Sequence, residues 1–359
     1  MSGRRCSLFL ALSLACSAMA GDVAGAAEAP RIGKPRPAPP GPSNLPSLPP
    51  AAIDNQLAIG GDDINARLKN TRMTVEVMVN GRGPYRFLVD SGADTSVVGL
   101  RIASELQLPL GSPAILNNMT SRNIVDQVKV AELKLGKTTF RDLEVPALRE
   151  QDLGGDGMIG IDALVEQRLM MDFEKRVIKA EDASRPPRMM DGEIVVTGRR
   201  RRGQLILTEV KASGVGLDAV IDTGSEVTIG NSALRDKLLK KNRDKFETVE
   251  VTGVTGVTIK LQMARVGQLQ IGSVILKDVP VAFADVPPFA VFGMADEPAL
   301  LIGTDLLEAF RRVSLDFKRR KVRFQLRQCG LRYVTFSSST SDYFSRIESG
   351  ADGSVCKRS

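Results

Sequence analysis

Residues 85–99 read YRFLVDSGADTSVVG, and residues 217–231 read LDAVIDTGSEVTIGN. Each is an apolar run that ends in Asp, a small hydroxyl residue and Gly: Leu88-Val89-Asp90-Ser91-Gly92 and Val220-Ile221-Asp222-Thr223-Gly224. Such a strand delivers a carboxylate to a sharp turn, and Gly permits the close backbone approach that a Cβ would block. One Asp-Thr-Gly alone is a weak signal, because any turn after a strand can contain it. Two in matching places point to duplication.

Two further blocks recur in the same order. VAELKLGKTTFRDLEV (130–145) aligns without a gap to VGQLQIGSVILKDVPV (266–281), and GMIGIDALVEQRLMMDF (157–173) matches ALLIGTDLLEAFRRVSLDF (299–317). Each aspartate motif is therefore followed downstream by apolar-apolar-Gly, as Met158-Ile159-Gly160 and Leu301-Ile302-Gly303. A repeat of this length reads as a duplicated domain. Its local pattern is mostly strand. MTVEVMV (73–79) alternates polar and apolar residues and is followed by RFLVD (86–90), while QLILTEV (204–210) and LDAVID (217–222) repeat the hairpin. Short helical stretches are expected at 99–106, 163–169, 233–241 and 305–312. The expected class is all-β with small helices.

The paired Asp-[Ser/Thr]-Gly and apolar-apolar-Gly motifs resemble those of the retropepsin-like aspartic peptidases over about residues 70 to 327. The resemblance implies two homologous β-barrel lobes in a pseudo-twofold arrangement with a cleft between them. It implies an aspartic endopeptidase in which Asp90 and Asp222 share one proton and activate a water, with no metal and no cofactor. Ser91, Gly92, Thr223, Gly224 and Ser225 would support the dyad. Asp94 and Glu226, two residues after the glycines, would contact substrate backbone or pair with a local Arg. A flap is expected at 251–258, with Gly253 and Gly256 at its tip, and a Gly-free counterpart at 117–123. A single chain with an intramolecular pseudo-dimer is the favoured assembly, with a homodimer as the alternative. A non-catalytic peptide-binding or scaffold protein on the same fold is the competing function.

Ser225 and Ala93 occupy equivalent positions after the two glycines. A hydroxyl there is able to donate to the neighbouring carboxylate, so Asp222 is expected to be the ionised member and Asp90 the protonated one. Asp162 and Asp305 are expected to cap the closing helices, and Asp172 and Asp316 to be structural.

Composition narrows the chemistry. The 359 residues contain no His, which excludes Ser-His-Asp and Cys-His catalysis and every His-based metal site. Aromatic residues are only 4%, with no Trp, so the core must be aliphatic. The net charge of +7 is concentrated in Arg clusters at 199–202 and 311–323. Without interleaved aromatic residues these read as solvated faces and not as a nucleic-acid platform.

Arg4 and Arg5, an apolar run from Leu8 to Ala20 and Ala18-Met19-Ala20 read as an export signal cleaved before Gly21. A periplasmic or secreted protein with no membrane span after cleavage is expected, with lipid anchoring through Cys16 as the alternative. Cys329 and Cys356 would remain and have the option of pairing. The expected organisation is a signal peptide (1–20), a Pro-rich linker (21–68), a first lobe (69–180), a linker (181–203), a second lobe (204–328) and a tail (329–359).

Overall fold

A computed structural model describes residues 31–41, 43–48, 62–65, 67–69, 72–136, 138–164, 167–182, 186–187, 192–201, 204–238, 246–327, 333–338 and 341–346. The export signal, all four cysteines and their pairing lie outside these residues.

The fold is mostly β, in two lobes of the same design. In the first lobe Arg72–Val79, Arg82–Val89, Gly157–Ile159, Val97–Gly99, Thr138–Leu148 and Gln127–Leu135 are neighbours in that order. Arg72–Val79 then pairs with Gln127–Leu135 and closes a six-stranded barrel. The second lobe repeats this with Gln204–Ala212, Val215–Ile221, Ala299–Ile302, Ile229–Gly230, Val274–Phe283 and Thr258–Ile271, closed by the pairing of Thr258–Ile271 with Gln204–Ala212. Closure leaves no unpaired barrel edge. Val75, Val77, Phe87, Val89, Val128 and Val130 alternate into the first barrel, and all are buried.

Each barrel places its aspartate in the same way. The strand before Asp90 pairs in parallel with Gly157–Ile159, and the Asp90 N–H donates to the Ile159 carbonyl at 2.9 Å. The strand before Asp222 pairs in parallel with Ala299–Ile302, and the Asp222 N–H donates to the Ile302 carbonyl at 2.9 Å.

The two closing helices are shorter than the sequence suggests. Among the described residues of 163–169 the helical part is the end of a 3-10 turn, Ile161–Ala163, and a strand, Gln167–Asp172, follows. Over 305–312 one helical turn, Thr304–Leu307, precedes the strand Phe310–Asp316. Leu169 and Met171, and likewise Val313 and Leu315, alternate into the core. Strand pairing of Gln167–Asp172 with Phe310–Asp316 overrides local helical spacing. Leu100–Glu105 and Ser232–Leu238 are helical, and 239–241 lies outside the described residues.

That pairing joins the lobes. Met170 faces Ser314, the residue that stands in its own place in the repeat. On either side, Arg168 pairs with Asp316 at 3.7 Å and Arg312 with Asp172 at 2.6 Å. Asp172 and Asp316 are nearly inaccessible. Burial opposes the charge of Asp172, but two backbone N–H donors and Arg312 hold its carboxyl below its ordinary range. The 311–323 Arg cluster is therefore only partly solvated: Arg320 is exposed at the turn, and the other arginines are paired. Arg311 pairs with Glu174, Arg319 with Asp316, and the buried Arg323 with Glu193.

The connecting segments are more ordered than linkers. Within 181–203, Glu193–Arg201 is a strand that lies between Lys321–Leu326 and Gln204–Ala212 and carries the sheet from the second barrel into the joint. Within the expected Pro-rich linker (21–68), Asp62–Asn65 extends the joint sheet and Arg36–Pro37 pairs with Arg122–Val125. Among the described residues no helix is long and apolar enough to cross a membrane.

Candidate active site

The two aspartate turns interlock. The Ser91 N–H donates to Thr223 Oγ1 at 2.9 Å, and the Thr223 N–H donates to Ser91 Oγ at 3.3 Å. Each hydroxyl then donates across the joint, Ser91 Oγ to the Ile221 carbonyl and Thr223 Oγ1 to the Val89 carbonyl, both at 2.8 Å. Both hydroxyls are buried, so each bond also satisfies a carbonyl that water does not reach.

The carboxyls of Asp90 and Asp222 lie side by side, each against the glycine of the other turn. Asp90 Oδ1 accepts from the Gly92 and Ala93 N–H groups at 2.7 and 3.0 Å, and Asp222 Oδ1 from those of Gly224 and Ser225 at 3.0 and 3.1 Å. The glycines are fixed by sterics: a Cβ on Gly92 would lie 2.6 Å from Asp222 Cγ, and one on Gly224 would overlap the Asp90 carboxyl.

Burial raises both aspartates above the ordinary carboxylate range. Asp222 is raised further because the charge of Asp90 lies beside it, whereas the Arg72 guanidinium counteracts the rise at Asp90. The pair titrates as a unit, and the Arg72 cation favours the charged form of Asp90. The hydroxyl contact expected of Ser225 does not form. The Ser225 hydroxyl donates to the Val227 carbonyl at 2.8 Å and not to Asp222, and its backbone N–H contact is matched by that of Ala93.

Asp162 and Asp305 do not cap helices; Gly160 and Gly303 hold those positions. Asp162 accepts from the Ser96 N–H and hydroxyl at 2.9 and 2.7 Å, and Asp305 accepts from those of Thr228 at the same distances. They tie each aspartate loop to the downstream glycine motif. Full burial pushes Asp305 up to about 7.

A cleft of about 520 Å³ opens above the dyad, lined by both lobes. Asp94 and Glu226 line it, and each meets a residue of the other lobe. Glu226 lies 2.9 Å from Arg72, and Asp94 Oδ1 accepts from Gln204 at 3.3 Å. Arg72 also donates to the Gly224 carbonyl at 3.4 Å, and Gln204 to the Gly92 carbonyl at 3.0 Å. Neither Arg72 nor Gln204 stands out in the sequence alone. They are nevertheless separated by 132 positions, the spacing that also relates Ser91 to Thr223.

Two hairpins roof the cleft. Ala114–Asn117 with Arg122–Val125 reaches from the first lobe, and Glu247–Thr252 with the start of Thr258–Ile271 from the second. Their tips touch: Asn118 Nδ2 donates to Thr255 Oγ1, and Ser121 Oγ bonds the same hydroxyl, both at 2.9 Å. Gly253 lines the cleft, and a Cβ there would overlap Thr120. Gly256 has positive φ at the turn and faces Arg149 and Asp152 instead of the dyad. Among the described residues no group of His, Cys, Asp and Glu is placed to hold a metal ion.

A family model described as aspartyl protease matches the chain twice, over residues 75–163 and 208–306, together more than half of it. No curated protein matches the chain.

Proposed function

The chain belongs to the aspartyl protease family in its retropepsin-like, two-repeat form, and on that premise we propose that it is an endopeptidase with Asp90 and Asp222 as its catalytic pair. The observation that supports this reading most directly is the adjacent, buried carboxyl pair, one from each repeat, on the floor of a cleft of about 520 Å³ lined by both lobes.

In the proposed mechanism ionised Asp90 takes a proton from a water held between the carboxyls, while Asp222 gives its proton to the scissile carbonyl oxygen. The water oxygen bonds to the carbonyl carbon and leaves a gem-diol. Asp90 then passes its proton to the amide nitrogen, Asp222 recovers one from a gem-diol hydroxyl, and the C–N bond breaks. Both carboxyls return to their starting states. Ser91 and Thr223 hold the two turns in register, and Gly92 and Gly224 let them meet. Asp94, Glu226 and the hairpin around Gly253 hold the peptide backbone, while Gly256 shapes the turn behind it. The chain acts as a monomer outside the cytoplasm after removal of residues 1–20.

Asp90→Asn and Asp222→Asn should each abolish hydrolysis of a peptide library while circular dichroism and melting stay native. Near-normal turnover by either purified variant would refute the paired-aspartate site. Mass spectrometry of the mature protein, expected to start at Gly21, checks the export step.

A further inference from the structure

The Pro-rich segment before the first lobe is not a free spacer. Arg36–Pro37 adds antiparallel to the outer edge of Arg122–Val125, and the Ala38 N–H donates to the Arg122 carbonyl at 3.0 Å. The Gly33 N–H donates to Asp126 Oδ2 at 2.7 Å, and the Arg122 guanidinium donates to the carbonyls of Pro39 and Gly41. The segment then turns and returns along the other edge of the same hairpin. There the Ile115 N–H donates to the Pro46 carbonyl at 2.9 Å, and the Leu48 N–H donates to the Ile115 carbonyl at 3.2 Å. Ser47 is thereby paired in parallel with Ile115, and Ser47 and Leu48 line the cleft that holds Asp90 and Asp222.

The chemistry suits this placement. Pro46 has no N–H to leave unbonded and offers only the carbonyl that Ile115 uses. The prolines restrict the segment before it docks, so less freedom is lost on binding. An extended peptide that enters such a cleft gains affinity by adding its backbone to an exposed strand edge. On the first hairpin that edge is taken at Ile115. On the second hairpin, Glu247–Thr252 ends its sheet with no described strand beyond it. One roof hairpin therefore offers an edge to a ligand and the other is already occupied.

We propose that Pro46–Leu48 is a tethered occupant of the cleft, a built-in competitor that must leave Ile115 before an extended peptide takes the same edge. The proposal rests on the peptide-hydrolase reading for its consequence, though not for the contact itself. Tethering gives a weak ligand an effective concentration on the order of millimolar, so loosening the tether at a distance should free the site.

The test uses the full chain with Arg122→Ala and Asp126→Asn together, which removes side-chain anchors at Gly33, Pro39 and Gly41 without altering any residue that lines the cleft. Leu48→Asp is the second variant should the first fail to fold. Fluorescence anisotropy with a labelled synthetic SNLPSL peptide (the sequence of residues 43–48) reads the freed edge directly. Peptide hydrolysis reads it kinetically. The peptide should bind the loosened chain roughly tenfold tighter than the parent, and KM should fall by a similar factor with kcat little changed. Equal affinity in parent and variants overturns the proposal. So does weaker binding in a natively folded variant, since the segment would then support the hairpin instead of competing with ligand. Tighter binding with no hydrolysis in any form keeps the occupant and removes the hydrolase reading, whereas hydrolysis with unchanged affinity does the reverse.

Discussion

Arg72 of the first lobe lies 2.9 Å from Glu226 of the second, and its counterpart in the repeat, Gln204, reaches Asp94 at 3.3 Å. The two positions make the same cross-lobe contacts but differ in charge. The guanidinium favours an ionised Asp90. Arg72→Gln should therefore make Asp90 harder to ionise and move the acidic limb of the kcat/KM profile to higher pH. Gln204→Arg should move it to lower pH. Profiles that stay superimposed on the parent would show that this cation does not bias the pair.

Ser225→Ala provides the contrast. Its hydroxyl serves the Val227 carbonyl, so its loss should slightly loosen the turn and leave the acidic limb in place. A pH–rate profile of this variant beside Arg72→Gln separates the backbone-turn role from the charge role.

Buried carboxyls set the pH dependence of stability. Asp90, Asp162, Asp222 and Asp305 are all raised by burial, Asp305 to about 7. The native state then holds protons that the unfolded state, with carboxyl pKa values of about 4, has released. Their contribution is complete below about pH 4 and is lost as pH rises through the native values. The lowered Asp172 acts in the opposite sense, and its contribution is lost as pH falls below the ordinary carboxylate range. The melting temperature should accordingly be highest on the acid side of neutrality and fall towards pH 8. Asp305→Asn should flatten that fall, and scanning calorimetry across pH 4–8 reads the slope.

The roof depends on a small contact. Thr255→Val removes the oxygen that Asn118 and Ser121 share. At about 0.5–1.5 kcal/mol for each of these two neutral hydrogen bonds, KM should rise roughly fivefold, and at most about a hundredfold, with little change in melting temperature. Steady-state kinetics with one peptide substrate checks it.

Much of the architecture is legible in the sequence because duplication writes it twice. The motif around Asp90 is weak until the one around Asp222 appears, and the apolar-apolar-Gly blocks fix which strands flank each turn. What escapes reading depends on partners far along the chain. DLLEAFRR has helical spacing, but pairing with Gln167–Asp172 turns its second half into strand. Ser225 is suited to reach a carboxylate, but its hydroxyl finds the Val227 carbonyl instead. The Arg residues at 311–323 read as solvated until Asp172, Asp316 and Glu193 are brought to them. Arg72 and Gln204 carry no local signal, and only the repeat spacing singles them out.

Met170 facing Ser314 has a consequence for how this protein is able to vary. Around a true twofold axis between identical subunits, the residue on the axis meets a copy of itself, and every substitution is made on both sides at once. Here two separate stretches of one chain supply the two sides. A thioether meets a hydroxymethyl at the axis, Arg72 answers to Gln204, and Ala93 answers to Ser225. Each half has its own codons and mutates alone, so selection can adjust one wall of the cleft while leaving the other untouched.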